Sequence, residues 1–226
     1  MLTASEITDR LEQVQGRIAD AVRRAGREAD SVRLVLASKA QPPAAVAAAF
    51  AAGARDFGEN YVQEAVTKRA ALGGRNIRWH LIGHLQSNKA RIAVETFDLI
   101  QTLDNQKLAA ALFRLHQSPM PVLVEINLAG ETSKSGIAPQ GAEALINSVR
   151  DQVDVQGLMA IPPVTPAPEA TWPFFRELRE LRDRLAAATG LALSELSMGM
   201  TDDFEVAILE GATIVRVGRA VFGERQ

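Results

Sequence analysis

The stretch "RLVLASKAQPP", residues 33–43, carries a run of apolar residues into Ser38 and Lys39 and then into two prolines. Read as a strand, Val35, Ala37 and Lys39 share one face and Leu34, Leu36 and Ser38 the other, because successive side chains alternate. Apolar residues on both faces indicate a strand buried on both sides, as in a parallel sheet. The lysine at its end then has two readings. Either the chain has reached water, the ordinary fate of an ammonium group, or the amine points into a functional mouth.

Seven further short apolar runs follow, so that the candidate strands are Leu34–Ser38, Ala54–Phe57, Arg78–Ile82, Phe97–Gln101, Val122–Asn127, Val155–Ala160, Leu193–Ser197 and Thr213–Val217. Helix signals lie between them. Pro43 opens one helix and Gly53 closes it, Gly190 and Gly211 close two more, and Phe174, Leu178, Leu181, Leu185 and Ala188 form a stripe along the longest. The N-terminal segment is a helix with Ile7, Leu11, Val14, Ile18 and Ala21 on one face and a capping box from Thr3 and Glu6. Eight strands alternating with helices over 226 residues, with no break in composition, predict one α/β domain over 1–226, a single (β/α)8 TIM-type barrel with an extra N-terminal helix. A doubly wound open sheet is the alternative. The proline-rich "PPVTPAPEATWP" reads as a stiff loop after a strand.

Bulk properties narrow the function. A net charge of −2 with both signs interspersed gives no reason for a nucleic-acid or anionic-membrane partner. No run approaches the ~18 apolar residues of a membrane span, and the N-terminal helix is not a secretory signal. A cytoplasmic protein is expected. The absence of cysteine removes disulfides and thiolate chemistry, and three histidines, of which only His80 and His84 are four apart and then at the end of a candidate strand instead of on a helix, make a poor metal centre.

The barrel reading raises the second account of Lys39, since barrel active sites lie at the C-terminal ends of the strands. Chemistry-bearing residues collect at those ends: "SK", "GEN", "IGHLQSNK", "INLAGETSKSG", "SMGMTDD" and "VRVGRA". After the seventh strand, Ser197 and Thr201 offer hydroxyls and a glycine turn leads into a helix start; after the eighth, Gly218 allows close backbone approach. These are the loops where barrels often hold phosphate. Asp202 and Asp203 are explained by N-capping. Arg216 stands on an otherwise apolar strand and needs a partner, either a carboxylate such as Glu125 or a ligand acceptor in the mouth. An amine, a phosphate cradle and a buried arginine together suit pyridoxal 5′-phosphate (PLP): Lys39 for the imine, the last two loops for the phosphate, Arg216 for the pyridine nitrogen.

At this point the sequence resembles the pyridoxal-phosphate homeostasis proteins, related to the N-terminal barrel of alanine racemase. The resemblance spans nearly the whole chain and rests on "VLASKAQP", "DFGENYVQE", "WHLIGHLQSNK", "VEINLAGETSKSG", "GLMAIPP" and "LSMGMTDDFEVAILEGATIVRVGRAVFG", in family order. It implies that Lys39 carries the cofactor as an internal aldimine. It also implies that Asn60 and the "IGHLQ" segment line the site, and that Ser197 with the Gly218–Arg219 backbone holds the phosphate. Thr201 stands where many relatives carry serine, which keeps the hydroxyl. Arg219 stands where many carry threonine or serine, so either its charge replaces a hydroxyl bond or only its backbone N–H counts. His84 either touches the cofactor or is a solvent or core histidine. Lys134 and Ser135 either reach the mouth or belong to a solvated loop, and Lys134 is a possible second attachment site. Tyr61, the only tyrosine, begins a helix and reads as a packing residue.

The resemblance implies a homeostatic role, buffering PLP or delivering it to apo PLP enzymes, and a monomeric, non-catalytic carrier is expected. The alternative is a single-domain PLP-dependent racemase. Racemisation needs an acid/base on each face of the substrate, and the chain is expected to lack the second domain that supplies the other face in alanine racemase. A cation against the pyridine nitrogen also weakens the ring as an electron sink. A lysine aldolase shares the barrel, amine and phosphate site but leaves Arg216 without a use.

Overall fold

The computed structural model describes residues 2–115, 118–131 and 135–224. Eight strands, β1 Arg33–Ala37, β2 Asp56–Glu59, β3 Arg78–Leu81, β4 Leu99–Leu103, β5 Met120–Ile126, β6 Val153–Ala160, β7 Glu195–Ser197 and β8 Ile214–Val217, close in chain order into a barrel. All adjacent pairs are parallel, and the ring closes where Arg33–Leu36 of β1 pair with Ile214–Val217 of β8. Val35, Leu99, Leu123, Met159 and Ile214 pack together inside the ring, and the opposite strand faces, such as Leu36 and Phe57, join the larger core under the helices.

The helices are α1 Ala4–Arg24, α2 Pro43–Ala51, α3 Val62–Leu72, α4 Ala90–Thr96, α5 Gln106–Phe113, α6 Ala142–Val149, α7 Trp172–Thr189, α8 Phe204–Leu209 and α9 Arg219–Phe222. The expected capping box forms: Glu6 N–H donates to Thr3 Oγ1 and Thr3 N–H to Glu6 Oε2. The buried stripe Ile7, Leu11, Val14 and Ile18 lies across α8, α9 and α2. The extra helix has a physical reason, because α8 and α9 have only six and four residues and leave the β8–β1 seam thinly covered.

All eight expected strands exist, with shifted ends. β2 starts at Asp56, since Ala54 N–H bonds Ala49 O in the turn closing α2; β4 starts at Leu99, since Phe97 caps α4. β7 starts at Glu195, because Leu193 takes φ 40°, outside any ladder. In α7 the buried stripe is Phe175, Leu178, Leu181, Leu185 and Thr189, so Phe174 and Ala188 were one residue out of phase. Thr189 tolerates burial by donating its hydroxyl to Leu185 O.

Two glycines should respond in opposite directions. A Cβ on Gly157 would lie 1.8 Å from Glu195 O, its ladder partner in β7. Gly16, inside α1 and exposed, would meet nothing. Gly157→Ala is therefore expected to cost at least ~2 kcal/mol in denaturant unfolding, through overpacking against backbone. Gly16→Ala should gain about 0.5–1 kcal/mol by helix propensity. Equal effects at both sites would refute the β6–β7 contact.

Candidate functional site

At the C-terminal end of the barrel, β1 stops at Ala37 and Lys39 sits two residues beyond, half-buried in a turn between the buried Ser38 and the exposed Ala40. The strand is thus shorter than its apolar run, and Lys39 lies in the turn two positions beyond Ala37, the last of the alternate positions Arg33, Val35 and Ala37. Arg216 holds an alternate position on β8. It pairs with Val35, shares a face with the interior residue Ile214 and is 4% exposed.

The arginine is held by a chain of hydrogen bonds through the barrel. Arg216 Nη2 donates to Ala160 O at 3.0 Å and Nη1 to Ser197 Oγ at 2.5 Å. Ser197 Oγ donates to Gln101 Oε1 at 2.6 Å, and Gln101 Nε2 pairs with His80 Nδ1 at 3.1 Å. His80 Nε2 meets Asp56 Oδ1 at 2.9 Å, and Asp56 Oδ2 accepts from Arg78 Nη2 at 2.8 Å at the opposite end of the strands. With Gln101 donating, His80 must donate from Nε2, so each donor points from the mouth toward Asp56. Burial lowers the Arg216 pKa to about 10, against the pull of Glu125 and Asp203, so the group stays charged at neutral pH. Asp56 is held below the usual carboxylate range, its burial outweighed by His80 and Arg78.

The structure changes several expectations. The Ser197 hydroxyl, fully buried, donates its one proton to Gln101, and its oxygen accepts from Arg216. The Arg219 guanidinium pairs with Asp202 on the surface. Capping does not describe the two aspartates: Asp202 takes Arg219, and the Asp203 carboxylate accepts from Met200 N–H instead of capping α8. A Cβ on Gly218 would meet Ala37 O at 3.0 Å, so the close passage of β1 already favours glycine there. His84 is exposed, its Nδ1 3.6 Å from Asp104. Tyr61 is 66% exposed ahead of α3 and packs no core. Lys134 lies outside the described residues; Ser135 is half-buried.

Three groups near the mouth have spare capacity among the described residues. Asn60 Oδ1 and Glu125 Oε2 are buried without a hydrogen-bond partner, and the half-buried Thr201 hydroxyl makes no hydrogen bond. Glu125, on the inward face of β5 and 8% exposed, is not hydrogen-bonded to Arg216, so the carboxylate-partner reading of that arginine fails: their attraction acts without contact. Sequence reading missed Asp56, His80 and Gln101, which alternation places on the inner faces of β2, β3 and β4. A groove of about 1270 Å³ between α1, α2 and α3 is lined by none of the expected site residues. Among the described residues there is no metal-type cluster and no helix long and apolar enough to cross a membrane.

A closed parallel barrel with a lysine turn and a buried arginine at one mouth defines the class of the alanine racemase N-terminal domain, and that family matches residues 10–226. Within it, the chain belongs to the pyridoxal phosphate homeostasis protein family. It is 44% identical to the member from Pseudomonas aeruginosa, over 98% of this chain and 96% of that one. PipY of Synechococcus elongatus, solved both without and with PLP, is 38% identical; the PLP-bound form covers 96% of this chain and 100% of PipY with a TM-score of 0.84. A protein of unknown function from Bifidobacterium adolescentis aligns with a TM-score of 0.89 at 39% identity, over 97% of this chain and 95% of that one.

Burial raises the pKa of Glu125 to about 7, with Asp104 adding to the rise and Arg216 opposing it. Between the ordinary carboxyl value and about 7 the folded state binds the extra proton, so this stabilising preference is lost as pH rises, and above it the buried charge weighs against folding. Glu125→Gln removes the titration. Its stability relative to the parent should improve by ~1–3 kcal/mol from about pH 5 to about pH 8. Denaturant unfolding of both proteins at the two pH values checks this; a difference independent of pH would place the carboxyl in water.

Proposed function

We propose that the protein binds pyridoxal 5′-phosphate at the C-terminal mouth of the barrel, attached through Lys39, and holds it for delivery to apo PLP enzymes without turning over a substrate of its own. The observation that carries this reading is the fit of the mouth to the group that PipY holds on the same barrel. The donor set matches: a half-buried lysine turn, a buried fixed cation, a hydroxyl at Thr201 and a buried orphan oxygen on Asn60.

When bound, the group supplies an aldehyde that condenses with an amine. Lys39 provides that amine at the end of β1. Arg216, fixed by Ser197 and Ala160, presents a permanent cation to a ring nitrogen and disfavours its protonation, which suits storage better than electron-sink catalysis. Thr201 and the backbone at Gly218–Arg219 would receive the phosphate, and the Ser197 hydroxyl is already bonded to Gln101 and Arg216. The racemase alternative needs a second proton carrier, and the exposed Tyr61 is poorly placed to be one. Glu125 is better placed, being buried at the mouth with a pKa near neutrality, so the alternative is tested on both residues.

Borohydride reduction of the PLP-loaded protein followed by peptide mass mapping should find pyridoxyl-lysine at Lys39. Lys39→Ala should lose that label with its circular dichroism unchanged. A full label in this variant would move the attachment to another lysine, with Lys134 the first to examine.

In deuterium oxide, amino acids should show no stereoinversion above background, while the loaded protein activates an apo-transaminase. Rapid stereoinversion abolished by Tyr61→Phe or Glu125→Gln would overturn the carrier reading in favour of a racemase.

A further inference from the structure

Lys39 is flanked by two residues whose backbone is gripped from outside the barrel. On its N-terminal side, Ser38 N–H donates to Gly58 O at 2.9 Å, and Ser38 Oγ donates to Glu59 Oε1 at 2.6 Å. Lys68 Nζ, on α3, donates to Ser38 O at 2.6 Å and to the same Glu59 oxygen at 2.7 Å. On the C-terminal side, Ala40 N–H donates to Glu64 Oε2 at 2.9 Å, and Glu64 lies 3.5 Å from Lys68 Nζ. Ala40 holds φ at 61°, the left-handed region that alanine avoids.

This arrangement is costly. Glu59 is fully buried with its second oxygen unpartnered, and Lys68 is almost as buried. A buried ion pair seldom adds stability over apolar residues of the same size, so a pair retained with an orphan oxygen points to a geometric role. Its bonds converge on the two residues either side of Lys39.

We propose that Glu59, Lys68 and Glu64 are positioning residues that fix the 38–40 turn and so set the direction in which the Lys39 amine enters the barrel mouth. The proposal rests on the reading of Lys39 as the attachment point. Glu59 and Lys68 brace the carbonyl and hydroxyl of Ser38, and Glu64 holds Ala40 in its unfavourable conformation. None of the three needs to touch the cofactor.

The test uses the full chain and two measurements: the rate at which PLP is trapped on Lys39 by reduction, and the rate of Lys39 acetylation by acetic anhydride relative to the exposed Lys107. Glu64→Ala should slow PLP trapping about tenfold, the scale of a small misplacement of a reacting group, and alter the acetylation ratio. Its melting temperature should stay within about 4 °C of the parent, because Glu64 is partly exposed. Glu64→Gln keeps an acceptor for Ala40 and should restore both rates, which a role in stability alone would not require. Glu59→Gln with Lys68→Met should slow trapping further. If that double variant does not fold, the Glu64 pair decides alone.

Parental trapping and acetylation rates in folded Glu64→Ala would overturn the proposal. If the parent itself traps no PLP on Lys39, the cofactor reading fails, and the acetylation ratio still judges the clamp: an unchanged ratio refutes it and a changed one supports it.

Discussion

A guanidinium inside a barrel must stay charged and must find acceptors, and the interior of this protein is organised around that requirement at Arg216. The group cannot shed its proton near neutrality even with its pKa lowered by burial. Its direct acceptors, Ser197 Oγ and Ala160 O, are neutral, so compensation has to come from further away. The carboxylates that pull on it are Glu125 and Asp203, while a chain of hydrogen bonds runs from it through Gln101 and His80 to Asp56, in which every member points its proton the same way. Aligned hydrogen bonds polarise one another in a low-dielectric interior. The carboxylate that ends the chain is anchored by Arg78 and lies near Arg33, which also approaches Glu195. The base of the barrel is thus a charged plug that fixes the alignment, and the mouth is where its positive end emerges.

That direction decides what the mouth can receive. Glu125 and Asp203 both have pKa values raised mainly by burial, and the cation at Arg216 lowers each. Carboxyls drawn toward their neutral form repel an incoming anion less than exposed carboxylates would. On the proposed reading, the mouth would accept a polar, partly anionic ligand without a cluster of lysines and arginines, in keeping with a protein of nearly balanced charge. The exposed pair of Arg219 and Asp202 at the rim adds little, because surface ion pairs are screened.

The fold was legible because the barrel needs only what alternation supplies: eight short apolar runs, each followed by a helix. Strand ends were harder, since they depend on local backbone choices such as the left-handed Leu193 and the helix-closing bond of Ala54. In the site, Lys39 and Arg216 could be found as charges standing in line with core residues. The groups that hold them could not. Ser197 and Gln101 are 96 positions apart and become neighbours only through the barrel's closure and register. Lys68 follows Glu64 by four residues on a helix, the spacing of an ordinary surface pair. Only the packing of α3 against β2 buries that lysine and turns it toward the β1 end. The partners of Ser197 were hidden for a related reason: a hydroxyl in a phosphate-type loop reads as a donor to ligand, and its bonds to Gln101 and Arg216 show only in three dimensions.

The two serines at strand ends reveal how the work is divided. Ser38 and Ser197 are both fully buried, and each donates its proton at 2.6 Å to a carbonyl-type oxygen inside the protein, on Glu59 and on Gln101. One belongs to the clamp outside the barrel wall, the other to the chain inside it. In both, the hydroxyl beside a candidate site residue, Lys39 or Arg216, has its proton bonded within the protein. The groups with spare capacity, Asn60 and Glu125 and the hydroxyl of Thr201, stand at other strand ends and loops. A buried acceptor without a partner costs about 1–3 kcal/mol, so leaving two of them at one mouth is a standing cost to the fold. A ligand that donates to those oxygens would recover part of that cost, whereas the serines have nothing left to recover. The unpartnered atoms thus mark where binding can add stability, and the satisfied ones mark what must stay still while it does.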